Sequence, residues 1–143
     1  MQTSARNVFH GKVTAVTEGA VNDEIQLEVE GGQTIVASIT KASTAKLGLK
    51  VGVEAMALIK ATFVILMTDA EDYLLSTRNQ FKGTVSDIKR GQVNAEVLVD
   101  VPNTNGVSAV ITVTSLDKLG LVKGSKVTAI VKAMNVILAV PKK

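Results

Sequence analysis

The chain repeats itself along its own length. Moving Ser4 onto Ser76, a shift of 72 positions, aligns 4–68 with 76–140 without a gap, and about 26 of the 65 aligned positions are identical. Such a repeat predicts two copies of one small folding unit, so any architecture must fit into about 70 residues. We place the two domains at 1–71 and 72–143, with the acidic segment 69–75 as the join.

Each copy has the sequence pattern of β-structure. Apolar residues alternate with polar ones over 25–29 and over 97–101, which predicts strands with one buried face. Glycine- and asparagine-rich turns follow at 30–33 and 102–106. Short runs rich in β-branched residues predict further strands, which in the first copy are Ile35–Ala37, Met56–Ile59 and Phe63–Met67.

One short helix is predicted in each copy. In the first copy it lies between Thr40 and Gly48, because Thr40 or Ser43 can cap its start and Gly48 suits a left-handed C-terminal cap. Five strands and one helix in about 70 residues predict an all-β chain, a tandem pair of small five-stranded barrels of the oligonucleotide/oligosaccharide-binding (OB) type. Such small units have small cores and exposed sheet edges, so we expect oligomerisation.

The composition argues against an enzyme and against a site for a metal cation. There is no Cys, and the single His10 aligns with Lys82, so the duplication did not keep an imidazole. Glu24 and Glu96 recur in both copies, but neither has a second carboxylate at a retained spacing. We therefore expect no catalytic residue and no catalytic cofactor, and a structural role for both glutamates.

Nucleic acid and membranes are also poor candidates as partners. The net charge is only +3, aromatic residues make up 3% of the chain, and Phe9 and Phe81 occupy equivalent apolar positions typical of a core. The most apolar stretch, 55–67, is too short to span a bilayer. The N-terminal residues show no apolar leader, so we expect a cytoplasmic protein.

The two copies retain the residue types of an anion site. Arginine supplies a fork of donors, lysine a compact charge, hydroxyls adjustable donors, and a helix start free backbone N–H groups. One arginine and one lysine match the charge of a tetrahedral dianion. Other roles remain open, because Lys60 can protect an edge strand, Thr40 and Ser43 can cap the helix, and Arg6 can pair with a surface acid.

At these residues the chain resembles the Mop, or molbindin, family of molybdate-binding domains. The shared pattern is Ser-x-Arg-Asn, Val-Asn-x-Glu, Ile-Thr-x-x-Ser, Leu-Gly-Leu and Lys-Ala, and it occurs in both copies. The resemblance implies an OB-like barrel for each half, a homotrimer, and binding of molybdate or tungstate between neighbouring domains without catalysis. It does not imply equal sites, since Lys41 beside the first helix becomes Val113 in the second copy.

The resemblance also implies site residues. Its main site maps onto Ser4, Arg6, Asn7, Thr40, Ser43 and Lys60 in the first half, and onto Ser76, Arg78, Asn79, Thr112, Ser115 and Lys132 in the second. Asn7 and Asn79 are expected to orient the opening loop. A second kind of site, at the trimer axis, maps onto Val21, Asn22, Val93 and Asn94, and we expect Glu24 and Glu96 to hold the adjacent turns.

Two functions follow from this resemblance. The first is intracellular storage and homeostasis of molybdate. The alternative is a molybdate-responsive sensor that acts through a partner protein.

Overall fold

The computed structural model describes residues 2–142, and this part of the chain contains ten strands and two short helices. The first copy has β1 (Asn7–Thr17), β2 (Asn22–Val29), β3 (Thr34–Thr40), α1 (Lys41–Leu47), β4 (Glu54–Ile59) and β5 (Ile65–Met67). The second has β6 (Asn79–Arg90), β7 (Asn94–Asp100), β8 (Val107–Thr112), α2 (Val113–Leu119), β9 (Lys126–Val131) and β10 (Ile137–Ala139). The prediction of five strands and one helix per copy is confirmed.

The last strand of each copy belongs to the sheet of the other copy. The two sheets have the orders β10-β4-β1-β2-β3 and β5-β9-β6-β7-β8, and every neighbouring pair is antiparallel. Leu138 of β10 thus pairs with Ala57 of β4, and Leu66 of β5 pairs with Ala129 of β9. The sequence repeat and the sheets therefore contain different sets of strands.

Each sheet curls towards a small barrel. Its two outermost strands approach each other, β10 with β3 and β5 with β8. The long first strand carries an irregularity at the same place in both copies, between Val13 and Ala15 in β1 and between Val85 and Asp87 in β6. Because a bulge bends a strand and increases its twist, these positions help to curve the sheets.

The two halves share one hydrophobic core. Phe9 and Phe81, which are repeat-equivalent, stack with their ring centroids 5.6 Å apart. Both are buried, so the prediction that they are core residues is confirmed. Alternating residues of β2, β3 and β7 complete the interior, including Ile25, Leu27, Ile35, Val97 and Val99.

The helix ends are those that the sequence predicts. Thr40 is the N-cap of α1, where its side chain accepts a hydrogen bond from the backbone of Ser43. Gly48 ends the helix with φ 65°, a left-handed conformation that favours glycine. The second copy uses Thr112 and Gly120 in the same way.

Two local predictions about the first copy are wrong. Phe63 is not in a strand, because Ala61–Phe63 forms a single 3₁₀ turn and β5 begins only at Ile65. Lys60 does not protect an edge strand, because β4 lies between β1 and β10, and Lys60 follows the end of β4. Within residues 2–142 no helix is long and apolar enough to cross a membrane.

Candidate oxyanion-binding site

Strand pairing brings the arginine and the lysine of each copy to one end of a sheet. Asn79 at the start of β6 is paired with Val131 at the end of β9, so Arg78 and Lys132 flank the same ladder position. Ser76, Arg78 and Lys132 line one open pocket of about 200 Å³. In the first copy the pairing of Asn7 with Ile59 places Arg6 and Lys60 in the same way.

The other wall of this pocket comes from the first copy. Glu24 of β2 and Val36 of β3 line it opposite Arg78 and Lys132. The resemblance mapped Arg6, Lys60 and Thr40 onto the first half and implied binding between neighbouring domains. The structure sets the cations of the second half against β2 and β3 of the first half.

The asparagines beside the arginines join the two halves. The Asn79 side chain accepts a hydrogen bond from the Val36 amide and donates one to the Val36 carbonyl, both at 2.7 Å. Asn7 does the same with the backbone of Ser108, at 2.8 and 2.9 Å, and also donates to the Ile59 carbonyl at 3.2 Å. Both asparagines are buried, so these contacts, which we call the asparagine clasps, fix the segments that carry Arg6 and Arg78.

Each arginine forms an ion pair with a glutamate of the other half. Arg6 Nη1 lies 2.8 Å from Glu96 Oε2, and Arg78 is bonded to Glu24. The expectation that these glutamates hold their turns is wrong. The neighbouring Asp23 does so in the first copy, because its carboxylate accepts a hydrogen bond from the Gly19 amide at 3.2 Å.

The hydroxyl residues lie at the helix starts. Thr40 Oγ1 donates to Ser43 Oγ at 2.9 Å and accepts from the Ser43 amide at 3.1 Å. Thr112 and Ser115 have the same arrangement, at 2.9 and 3.0 Å. Since each threonine hydroxyl donates its hydrogen to the serine, the serine hydroxyl keeps a hydrogen that it can donate outward.

The residues predicted for a second kind of site border these hydroxyls. The carbonyl of Val21 accepts a hydrogen bond from the Lys41 amide at 3.1 Å, and Asn22 is paired with Thr40. In the second copy the carbonyl of Val93 accepts from the Val113 amide at 2.8 Å, and Asn94 is paired with Thr112. All four residues predicted for this site are exposed, namely Val21, Asn22, Val93 and Asn94.

The hydroxyls of Thr40 and Ser43 and the cations of the second half lie beside the same two strands, β2 and β3. The pairs Asn22–Thr40 and Glu24–Ser38 are successive on the outer face of β2 and β3, and Arg78 contacts Glu24. The pocket at Arg78 and Lys132 is lined by Glu24 and Val36 of these strands but not by Thr40 or Ser43. Sequence analysis left open that Arg6 pairs with an acid, but it did not identify Glu96 and Glu24 as the partners of the two arginines, although the retention of Arg and Glu together in both copies was a usable signal.

The charged side chains beside the helix start differ between the two copies. The hydroxyl of Thr44 and the nearby Lys41, whose ammonium lies 3.1 Å from the carboxylate, hold the pKa of Asp23 below its ordinary value. The second copy has Ala95 and Val113 at the positions of Asp23 and Lys41. Within residues 2–142 no cluster of three or more His, Cys, Asp or Glu side chains is placed to hold a metal ion.

The family model described as "TOBE domain" matches residues 3–66 and again 75–138, so both copies are covered. The chain belongs to the TOBE domain family. The resemblance to two-domain Mop proteins drawn from the sequence motifs is thereby confirmed. Both TOBE domains contain the arginine, lysine and threonine of the candidate site.

Relatives of this tandem TOBE chain carry molybdenum-related names. It is 45% identical over 141 residues to the molybdenum-pterin-binding protein MopA of Rhodobacter capsulatus, covering 99% of this chain and 53% of that protein. It is 41% identical over 140 residues to the molybdenum transport protein ModE of Herbaspirillum seropedicae, covering 98% of this chain and 52% of that protein. The chain thus spans about half the length of the curated relatives that it matches.

A solved structure matches the whole tandem arrangement. The cytoplasmic molybdate-binding protein ModG, solved with molybdate bound, superposes with a TM-score of 0.95 at 44% identity. The match covers 99% of this chain and 100% of that one. This agreement confirms the predicted all-β fold with two five-stranded barrels.

Proposed function

We propose that this chain binds molybdate or tungstate, and that it stores and releases the oxyanion without catalysis. The observation that carries the proposal is the pocket at the second-copy cations, where Ser76, Arg78 and Lys132 converge on the edge of the other half. The names of MopA and of the molybdate-bound ModG support the choice of ligand.

The chemistry of the pocket suits a tetrahedral dianion. Arg78 offers two parallel N–H donors, Lys132 a mobile ammonium, and Ser76 a hydroxyl that can turn towards an oxygen. Their two positive charges equal the charge of molybdate. Because these side chains are exposed in the chain, binding does not require the opening of a closed cavity.

The proposal includes a homotrimer in the cytoplasm. Two apolar positions are exposed in both copies, Val21 with Val93 and Ile65 with Ile137, and neighbouring protomers would cover them. The hydroxyl edge at Thr40 and Ser43 would then form part of a site shared between domains. Light scattering coupled to size exclusion tests the trimer, and a mass of one or two chains would refute it.

The alternative is a molybdate sensor that acts through a partner. It is favoured by the 35% identity over 140 residues to the DNA-binding transcriptional dual regulator ModE of Escherichia coli, of which the match covers 52%. A partner retained from lysate only in the presence of molybdate would favour a sensor over a store. The expectation of no nucleic-acid partner stays a prediction, which salt-sensitive retention of single-stranded DNA would contradict.

The decisive experiment is a calorimetric titration with molybdate in the presence of excess sulfate. Lys60→Ala/Lys132→Ala is expected to weaken binding strongly, because it removes the ammonium from the Arg78 pocket and from the equivalent position beside Arg6. The matched control is Lys46→Ala/Lys118→Ala, which removes two repeat-equivalent charges from the last turns of the helices. Absence of heat in the unmodified protein would refute the proposed function, and equal loss in both double variants would refute the assigned site.

A further inference from the structure

In each half, the arginine of the candidate site already has an anionic partner. Glu96 occupies Arg6 at 2.8 Å, and Glu24 occupies Arg78. All four residues are retained at equivalent positions, and both pairs cross between the halves. The chain therefore places one carboxylate beside each proposed oxyanion position.

A carboxylate in this place opposes a dianion in two ways. It uses N–H donors of the arginine that the ligand needs, and it repels the ligand directly. For one negative charge at about 6 Å from a dianion in water, the repulsion corresponds to roughly a tenfold change in dissociation constant. Binding must therefore displace the glutamate or tolerate its charge.

The two carboxylates are not held equally. Glu96 Oε2 also accepts a hydrogen bond from Ser108 Oγ at 3.1 Å, and Lys89 Nζ lies 3.7 Å from Glu96 Oε1. At the equivalent positions around Glu24 the chain has Val36 and Thr17. Accordingly, the side chain of Glu96 is 13% exposed and that of Glu24 is 44% exposed.

Lys60 and Lys132 also differ in how their side chains are held. The ammonium of Lys60 lies 5.9 Å from the ring centroid of Phe63, within range of a cation–π contact. Lys132 has Asn135 at the equivalent position, which offers no aromatic face. Lys60 thus has an aromatic contact that Lys132 lacks.

We propose that Glu24 and Glu96 are built-in competitors of the oxyanion, and that Glu96 competes more strongly, so the Arg78 site fills before the Arg6 site. The inference rests on the proposed function and adds the residues that set the order of filling. Ser108, Lys89 and Phe63 act as positioning residues, because they hold Glu96 and Lys60 in the empty state.

The test is calorimetric titration with molybdate of the full chain and of three charge-matched variants. Glu96→Gln keeps the shape and an accepting oxygen for Arg6 and Ser108, and it is expected to tighten the weaker class of sites about tenfold. Glu24→Gln is expected to tighten the stronger class by a smaller factor. Glu28→Gln, an exposed change on the same strand as Glu24, is the control and is expected to change neither class.

A fourth variant keeps the charge of Glu96 and changes only its hydrogen-bond partner Ser108. Ser108→Val copies the residue of the first half, and it leaves the backbone contacts of Ser108 with Asn7 in place. It is expected to tighten the weaker class about threefold. Because the carboxylate remains, this result cannot come from a general change in net charge.

The outcomes separate the two proposals. If the unmodified protein binds molybdate and Glu96→Gln leaves the weaker class unchanged or weakens it, the competitor role is refuted while the proposed function stands. If the unmodified protein takes up no molybdate, the proposed function fails and this inference fails with it. A melting midpoint measured without ligand checks that each variant is folded.

Discussion

The asparagine clasp at Asn79 makes a sharp prediction about stability. Asn79 is fully buried, and both of its contacts with Val36 are 2.7 Å long. Asn79→Ala leaves the amide and the carbonyl of Val36 unpaired in the interface between the halves. Each unsatisfied buried group costs about 1–3 kcal/mol, so the variant is expected to lose roughly 2–6 kcal/mol in the free energy of unfolding.

The expected loss is large enough to measure in two ways. Urea unfolding followed by circular dichroism gives the free energy directly. For a chain of this size, 1 kcal/mol corresponds to roughly 3 °C, so the melting midpoint should fall by about 6–18 °C. The control is Asn94→Ala, an exposed asparagine for which a change within about 0.5 kcal/mol is expected.

A small effect would refute the reasoning. If Asn79→Ala costs less than about 1 kcal/mol, water replaces the amide, and the clasp is not a dry contact between the halves. Asn7→Ala provides an independent repetition, because Asn7 makes the equivalent contacts with Ser108. The two variants should therefore have similar effects.

Two further predictions concern the core and the first helix. Phe81→Ala removes a fully buried ring stacked on Phe9, so it should cost about 3–5 kcal/mol, and urea unfolding with a loss below 1 kcal/mol would contradict a shared core. Asp23 has a pKa below its ordinary value of 3.8 in the folded state, so its stabilising contribution is present above that pH and is lost as the pH falls through the lowered pKa. The melting midpoint of Asp23→Asn should therefore lie below that of the unmodified protein at neutral pH. The difference between the two midpoints should narrow under acidic conditions. A difference that stays constant with pH would exclude the titration of Asp23 as the source of the destabilisation.

Much of the fold could be predicted from local sequence because local physics decides it. The alternating residues of β2 and β7 can bury only one face, and the caps at Thr40 and Gly48 need only neighbouring backbone. The exchange of β5 and β10 could not be predicted. Both strands contain Ile-Leu at equivalent positions, so either sheet accepts either strand equally well by sequence.

For the candidate site, too, the residue types could be predicted from the sequence, but the contacts between the halves could not. Arginine, lysine and hydroxyl residues were identifiable because both copies retain them. The contact between the cations of one half and the strands of the other half could not be identified. Arg78 and Glu24 are 54 positions apart and meet only through the packing of the two barrels. The burial of Asn7 and Asn79 was likewise hidden, since an asparagine beside an arginine in a loop usually indicates an exposed turn.

The strand exchange has a consequence for how the molecule responds to cleavage and dilution. A protease nick in the join at 69–75 would cut the covalent link while each fragment still supplied a strand to the other's sheet. The nicked product should migrate as one particle until it is denatured. In the intact chain the exchanged strands β5 and β10 are covalently tethered. The stability of the exchange therefore does not depend on protein concentration, unlike that of a strand swap between separate molecules.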